Sequence, residues 1–103
     1  WNSQGTLLAS GSEDKTIKIW DSNTWKCIQI LEGHTNGVMS VTWNSQGRLA
    51  SGSLDKTIKI WDSNTWECVQ TLEGHTDVMN SVAWNCQGTK LASGSYQTIK
   101  IWK

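Results

Sequence analysis

The sequence predicts an all-β chain built from tandem four-stranded antiparallel sheets, and three observations carry that reading. The first is repetition at a fixed interval. Trp20, Trp61 and Trp102 lie 41 residues apart, and His34 with His75 and Trp43 with Trp84 repeat the same spacing. Periods of about 40 to 45 residues mark repeat architectures whose unit is a four-stranded sheet. The second is what repeats: Ser-Gly-Ser-Xaa-Asp-Lys-Thr-Ile-Lys-Ile-Trp-Asp runs from Ser10 to Asp21 and from Ser51 to Asp62, then restarts at Ser93 and reaches Trp102-Lys103. The third is alternation. Ile58 and Ile60 alternate with Thr57, Lys59 and Trp61, a period of two that belongs to strands and not to helices.

The middle unit justifies its elements in order. Val38 to Trp43 alternates and is rich in strand formers, so it reads as strand A. Asn44-Ser45-Gln46-Gly47 is a turn, with Gly47 free to take a positive φ. Leu49 to Ser53 is a short strand B of small residues, followed by a tight turn at Leu54-Asp55-Lys56. Thr57 to Trp61 is strand C, Asp62 to Trp66 turns the chain, and Glu67 to Leu72 is strand D. Gly74-His75 then opens the next unit. No stretch carries a helical pattern.

One such sheet has two apolar faces and open edges, so it is not stable alone. Stacking units face to face buries the faces, and closing the stack into a ring protects the edges. The predicted architecture is therefore a β-propeller. Trp1 reads as the end of a strand A, and the strands then run B-C-D, A-B-C-D, A-B-C. That gives ten strands in three blades: residues 1–32 (partial), 33–73 and 74–103 (partial). Closed rings use about four to eight blades. The expectation is a segment of a longer propeller, with assembly from several copies as the alternative.

At this point the residues resemble a known family. Gly-His placed ahead of Ala-Ser-Gly-Ser-Xaa-Asp-Lys-Thr and an Ile-Lys-Ile-Trp-Asp ending is similar to the WD-repeat β-propeller pattern across the whole chain. The resemblance implies a buried hydrogen-bond network in each blade, joining a histidine before strand A, a serine on strand B, the aspartate of the B–C turn and the strand C tryptophan. The middle blade has all four as His34, Ser51, Asp55 and Trp61. The first keeps Ser10, Asp14 and Trp20. The third keeps His75, Ser93 and Trp102, but Tyr96-Gln97 replaces the three-residue turn and its aspartate.

Histidine, serine and aspartate together also invite a hydrolase reading. The set recurs with the blade, as a structural staple should, so no catalytic residue is assigned. Two histidines one blade apart, without converging thiolate or carboxylate ligands, make no metal site. No cofactor site is expected.

Bulk properties exclude further classes. Nine Lys plus Arg balance nine Asp plus Glu, leaving no single-sign field for nucleic acid or an anionic membrane. No apolar run approaches the roughly 20 residues of a membrane span, and the N-terminus lacks a signal pattern. Cys27 and Cys68 hold equivalent positions a whole blade apart, too far for a bond that needs Cα atoms within about 7 Å. With Cys86 they read as reduced thiols in a cytoplasmic or nuclear, non-secreted protein.

Differences between repeats point to surfaces. Glu13, Leu54 and Tyr96 differ at the B–C turn, and Asn36 to Met39 differs from Asp77 to Asn80 at the D–A loop. These loops share one rim. Exposed Leu54, Tyr96 and Met39 beside Glu13, Asn36 and Asp77 suit a mixed apolar and acidic contact surface. On the opposite rim, Trp25 and Trp66 stand where the family usually has glycine, so they must find another turn geometry or accept strain. They form a candidate patch, or fold back over Trp43 and Trp84. Arg48 marks an A–B turn shortened by one residue. The function expected is a non-enzymatic scaffold that displays loops to protein or peptide partners. The alternative is a self-assembling structural module, duplicated, designed or a fragment, whose partner is another copy.

Overall fold

A computed structural model describes residues 1–96 and 98–102; Gln97, which the sequence assigns with Tyr96 to the third B–C turn, and Lys103 lie outside the described residues. The described chain is ten strands: β1 (Leu7–Gly11), β2 (Ile17–Asp21), β3 (Cys27–Leu31), β4 (Val38–Trp43), β5 (Arg48–Ser53), β6 (Ile58–Asp62), β7 (Cys68–Leu72), β8 (Met79–Trp84), β9 (Leu91–Ser95) and β10 (Ile99–Trp102). They form three antiparallel sheets in the orders β1-β2-β3, β4-β5-β6-β7 and β8-β9-β10. This is the all-β, partial-propeller fold expected, with no helix among the described residues.

Each blade is a meander, so every connection is a hairpin and register follows from the turns. In the middle blade Leu49 pairs with Trp61 and Ser51 with Lys59, which puts Leu49, Ser51 and Trp61 on one face. Ala50, Ile58 and Ile60 occupy the other. The B–C turn closes through Ser53 N–H to Thr57 C=O at 3.2 Å, with Lys56 in the left-handed region at φ 73°. In the third blade the same hairpin closes one residue sooner, from Ser95 N–H to Thr98 C=O at 2.9 Å.

The A–B turns are organised by asparagine side chains. Asn44 Oδ1 accepts from the Arg48 backbone N–H at 2.8 Å, while Asn2 Oδ1 and Asn85 Oδ1 reach one residue further, to Leu7 at 3.0 Å and Lys90 at 2.9 Å. That is the one-residue shortening anticipated at Arg48.

Blades stack face to face. Between the first two, Ile17, Ile19 and Leu31 meet Val38, Leu49 and Trp61, with Trp43 and Trp66 packed alongside. Between the second and third, Ala50, Ile58 and Ile60 meet Met79, Val82 and Leu91. The repeated alternation of isoleucine in strand C thus supplies one side of each interface, and the strand B leucine with the strand C tryptophan supplies the other. Polar links also cross the second interface: Trp84 Nε1–H donates to the Thr42 carbonyl at 3.1 Å, Asn44 Nδ2–H to the Gly88 carbonyl at 3.3 Å and the Val82 N–H to Ser40 Oγ at 3.3 Å. The equivalent indole of Trp43 is buried, and its Nε1–H has no hydrogen-bond partner among the described residues.

Candidate functional site

The rim made by B–C and D–A loops is set by a hydrogen-bond chain that begins in the sheet. In the middle blade Trp61 Nε1–H donates to Ser51 Oγ at 2.9 Å, Ser51 lies 2.7 Å from His34 Nε2, and His34 Nδ1 lies 2.8 Å from Asp55 Oδ2. Burial pushes the His34 imidazole below its usual pKa, against the pull of Asp55. The ring is therefore neutral at pH 7, and the network assigns its proton to Nδ1. All donors then point the same way, from indole to hydroxyl to imidazole to carboxylate, so each group is satisfied and the chain polarises in one sense.

Asp55 is the anchor. Burial acts to raise its carboxyl, but hydrogen bonds from the Thr57 side chain, from His34 and from the Thr57 and Thr35 backbone outweigh it and hold the pKa at about 2. Thr57 Oγ1–H donates at 2.6 Å and the Thr35 N–H at 3.1 Å. One carboxylate thereby pins the D–A loop, which carries His34 and Thr35, to the B–C turn. The glycine of the Gly-His pair is required here: Gly33 takes φ 148°, and a Cβ on it would sit 3.4 Å from the Trp61 ring.

The four residues the family pattern implied are brought together in the middle blade. Thr57 is a fifth member that reading the pattern missed; its signal was the threonine held constant at Thr16, Thr57 and Thr98. Ser53 is another, fully buried, with its hydroxyl 2.9 Å from the Gly37 carbonyl and accepting from the Asp55 N–H at 3.0 Å.

The other blades hold shorter versions. In the first, Trp20 donates to Ser10 at 3.0 Å, and Asp14, exposed, accepts from Thr16 at 2.6 Å. Those contacts lower the Asp14 carboxyl, first through the Thr16 hydroxyl. In the third, Trp102 donates to Ser93 at 2.8 Å and His75 Nε2 lies 2.7 Å from Ser93. His75 Nδ1 meets Thr98 Oγ1 at 3.2 Å, a neutral acceptor in the place of a carboxylate.

This geometry is not that of a hydrolase. Ser51 is fully buried, and its oxygen is shared between an indole and an imidazole beneath the sheet surface. A substrate has no line of approach to it. Among the described residues, no group of three or more His, Cys, Asp or Glu is arranged to hold a metal ion.

On the rim itself, Glu13, Asn36 and Leu54 come together. The Val38 N–H donates to the Ser12 carbonyl and the Leu54 N–H to the Gly37 carbonyl, each at 2.9 Å, and Gly37 lies against the Glu13 backbone. Leu54 is not fully exposed as expected: it is half-buried, its Cδ1 turned toward Gly37. Met39 is exposed because a bulge between Val38 and Ser40 leaves it outside the ladder. Tyr96 is exposed, and Asp77 lies on the third blade's equivalent loop with its carboxylate accepting from the Val78 N–H at 2.8 Å.

On the opposite rim, Trp25 and Trp66 keep the glycine-like conformation, at φ 57° and 58°. Each folds back edge-on over the indole that precedes its own blade's A–B turn. Trp25 packs on Trp1 at 6.0 Å and Trp66 on Trp43 at 6.2 Å. Trp84, expected in that role too, instead donates across the interface to Thr42. Cys27, Cys68 and Cys86 are exposed free thiols.

Comparison with known proteins agrees with the blade pattern. The profile described as "WD domain, G-beta repeat" matches residues 1–21, 25–62 and 66–103. The chain belongs to the WD40 repeat family. Similar curated proteins include a "Nuclear distribution protein PAC1" from Arthroderma benhamiae, 52% identical over 46 residues, which is 45% of this chain and 10% of that protein. A "Lissencephaly-1 homolog" from Branchiostoma floridae is 52% identical over 44 residues, 43% of this chain and 11% of that protein. The aligned stretch thus spans about a tenth of each relative's length.

Proposed function

We propose that this chain is a non-enzymatic interaction scaffold that binds a protein or peptide on the rim formed by Glu13, Asn36, Met39, Leu54, Asp77 and Tyr96. In this reading residues 1–32, 33–73 and 74–103 act as three blades of one array, and the working compartment is the reducing cytoplasm or nucleus. The observation that supports it most is the tether between His34 and Asp55, which fixes two loops as one preformed surface and so lowers the ordering cost of docking. The surface combines an exposed aromatic, a half-buried leucine and two carboxylates, a composition suited to a peptide with basic and apolar residues.

Selection of a displayed random-peptide library against the chain tests this. Peptides recovered should carry Lys or Arg beside an apolar residue. Tyr96→Ala or Glu13→Lys should weaken them about tenfold or more, while Cys27→Ser leaves them unchanged. Binders indifferent to both rim substitutions would rule the assignment out.

A further inference from the structure

The third blade keeps the groups that hold a carboxylate in the middle blade, but the carboxylate itself is missing from its sequence. We propose that this blade binds one from outside, from an acidic side chain of a partner peptide or a small free acid, seated as Asp55 is seated in the middle blade.

The middle blade is the template. His34 Nδ1 at 2.8 Å and the Thr35 N–H at 3.1 Å meet one Asp55 oxygen, and Thr57 Oγ1–H at 2.6 Å and the Thr57 N–H at 2.9 Å meet the other. The Asp55 side chain is 8% exposed, so these bonds stand in for water. The third blade runs Ser95-Tyr96-Gln97-Thr98 where the middle blade has Ser53-Leu54-Asp55-Lys56-Thr57. One residue is lost from the turn, and the aspartate with it.

The elements around the turn keep their places. Gly74 repeats the φ of 148° found at Gly33, and a Cβ on it would sit 3.2 Å from the Trp102 ring, as one on Gly33 would sit 3.4 Å from Trp61. His75 Nε2 stands 2.7 Å from Ser93 Oγ, as His34 stands from Ser51. Trp102 donates to Ser93, so the serine proton goes to His75 Nε2 and leaves Nδ1 a donor. His75 Nδ1 lies 3.2 Å from Thr98 Oγ1, against 3.5 Å between His34 and Thr57. The Thr98 hydroxyl thus meets the imidazole at about the distance Thr57 keeps, and the charged partner beside it is not replaced.

Charge favours an anion here. Lys100 acts on His75 as Lys59 acts on His34, but Asp55 offsets the lysine only in the middle blade. Asp77, on the same loop as His75, turns its carboxylate to the Val78 N–H. Hydrogen bonds to an ionised acceptor are about twice as strong as neutral ones, so a carboxylate gains more from His75 and Thr98 than water does. Its two oxygens also serve both sides of the site, which a halide cannot. The site uses none of the six rim side chains proposed above, so either reading can fail without the other.

Nuclear magnetic resonance of the histidine rings tests this, since His34 and His75 are the two imidazoles of the chain. Sodium acetate is titrated at pH 7 against sodium chloride at equal ionic strength. The His75 signals should move and saturate in acetate and stay in place in chloride, while His34, already bonded to Asp55, stays in place in both. Thr98→Val removes one donor and should weaken acetate about tenfold or more. Lys100→Gln, a second variant, should weaken it about twofold or more. A blocked Gly-Asp-Gly peptide locates the source: binding tighter than acetate assigns the site to an acidic side chain, and equal or weaker binding assigns it to a free acid. His75 signals that acetate leaves in place, that chloride moves as far, or that respond unchanged in both variants overturn the proposal.

Discussion

The middle and third blades carry nearly the same sentence, yet their hydrogen-bond chains end differently. In the middle blade the run from Trp61 through Ser51 and His34 terminates on a carboxylate that takes donors from Thr57 and Thr35 as well. In the third blade the run from Trp102 through Ser93 and His75 terminates on the Thr98 hydroxyl. Hydrogen bonds to a charged partner contribute about 1.5–3 kcal/mol, and neutral ones about 1. The comparison teaches that the tryptophan, serine and histidine hold the strands of a blade together, whereas the aspartate fixes the rim to it. A blade keeps its fold without the carboxylate, but its loops are less firmly tied.

Removing the first member of each run breaks the comparison most sharply. Trp61 is buried between two blades and between strands, so Trp61→Ala should destabilise the chain by about 3–5 kcal/mol. Trp102 is only half-buried, and Trp102→Ala should cost about half as much or less. Urea unfolding followed by far-UV circular dichroism measures both. Equal losses would show that burial does not separate the two blades.

Removing the anchor sharpens the comparison through pH. Asp55→Ala should cost about 1–3 kcal/mol at pH 7, because it leaves His34 without its acceptor. The acid dependence follows from the two shifts. His34 folds with its pKa below the ordinary 6.5, so the unfolded chain takes up that proton first, and stability falls as pH drops through 6.5 toward the folded value. His75, lowered by burial and by Lys100, adds in the same direction. Asp55 is held at about 2 against an ordinary 3.8, so its contribution is intact above 3.8 and is lost between there and about 2. Unfolding midpoints across pH 7 to 2.5 should therefore show two declines, and Asp55→Ala should flatten the lower one. An unchanged lower decline would mean that other carboxylates set it.

Much of this was legible beforehand for a physical reason: repetition at a fixed interval exposes period, strand alternation and hairpin position without knowledge of contacts. The four-stranded unit and the strand C alternation follow from residues that recur, and the His34–Ser51–Asp55–Trp61 set was what the family resemblance implied. What stayed hidden depends on orientation in space. Thr57 recurs as faithfully as Trp61, but a hydroxyl on a strand looks like any surface threonine until its aspartate is placed beside it. Leu54 looked like an exposed loop residue because sequence does not show that Gly37 from the neighbouring loop lies under it. The partner of Trp84 was unreadable for the same reason, since Thr42 belongs to the blade before. Comparison among repeats reveals what a blade shares, and contacts between blades escape it.

The smallest expected effect tests the glycine-like turns. A tryptophan in the left-handed region carries a cost of about 1–2 kcal/mol that glycine does not. Against this, an edge-to-face aromatic pair contributes about 0.5–1.5 kcal/mol beyond burial. For Trp25, exposed and packed edge-on against Trp1, the two nearly cancel, and Trp25→Gly should shift stability by no more than about 0.5 kcal/mol. Trp66 also covers the core between the first two blades, so Trp66→Gly loses apolar burial as well and should destabilise by about 1–3 kcal/mol. The difference between the two variants reports the packing that the interface adds, with the backbone cost the same in both. Indistinguishable midpoints would mean that Trp66 contributes nothing to the interface it lies against, and that turn strain alone decides the position.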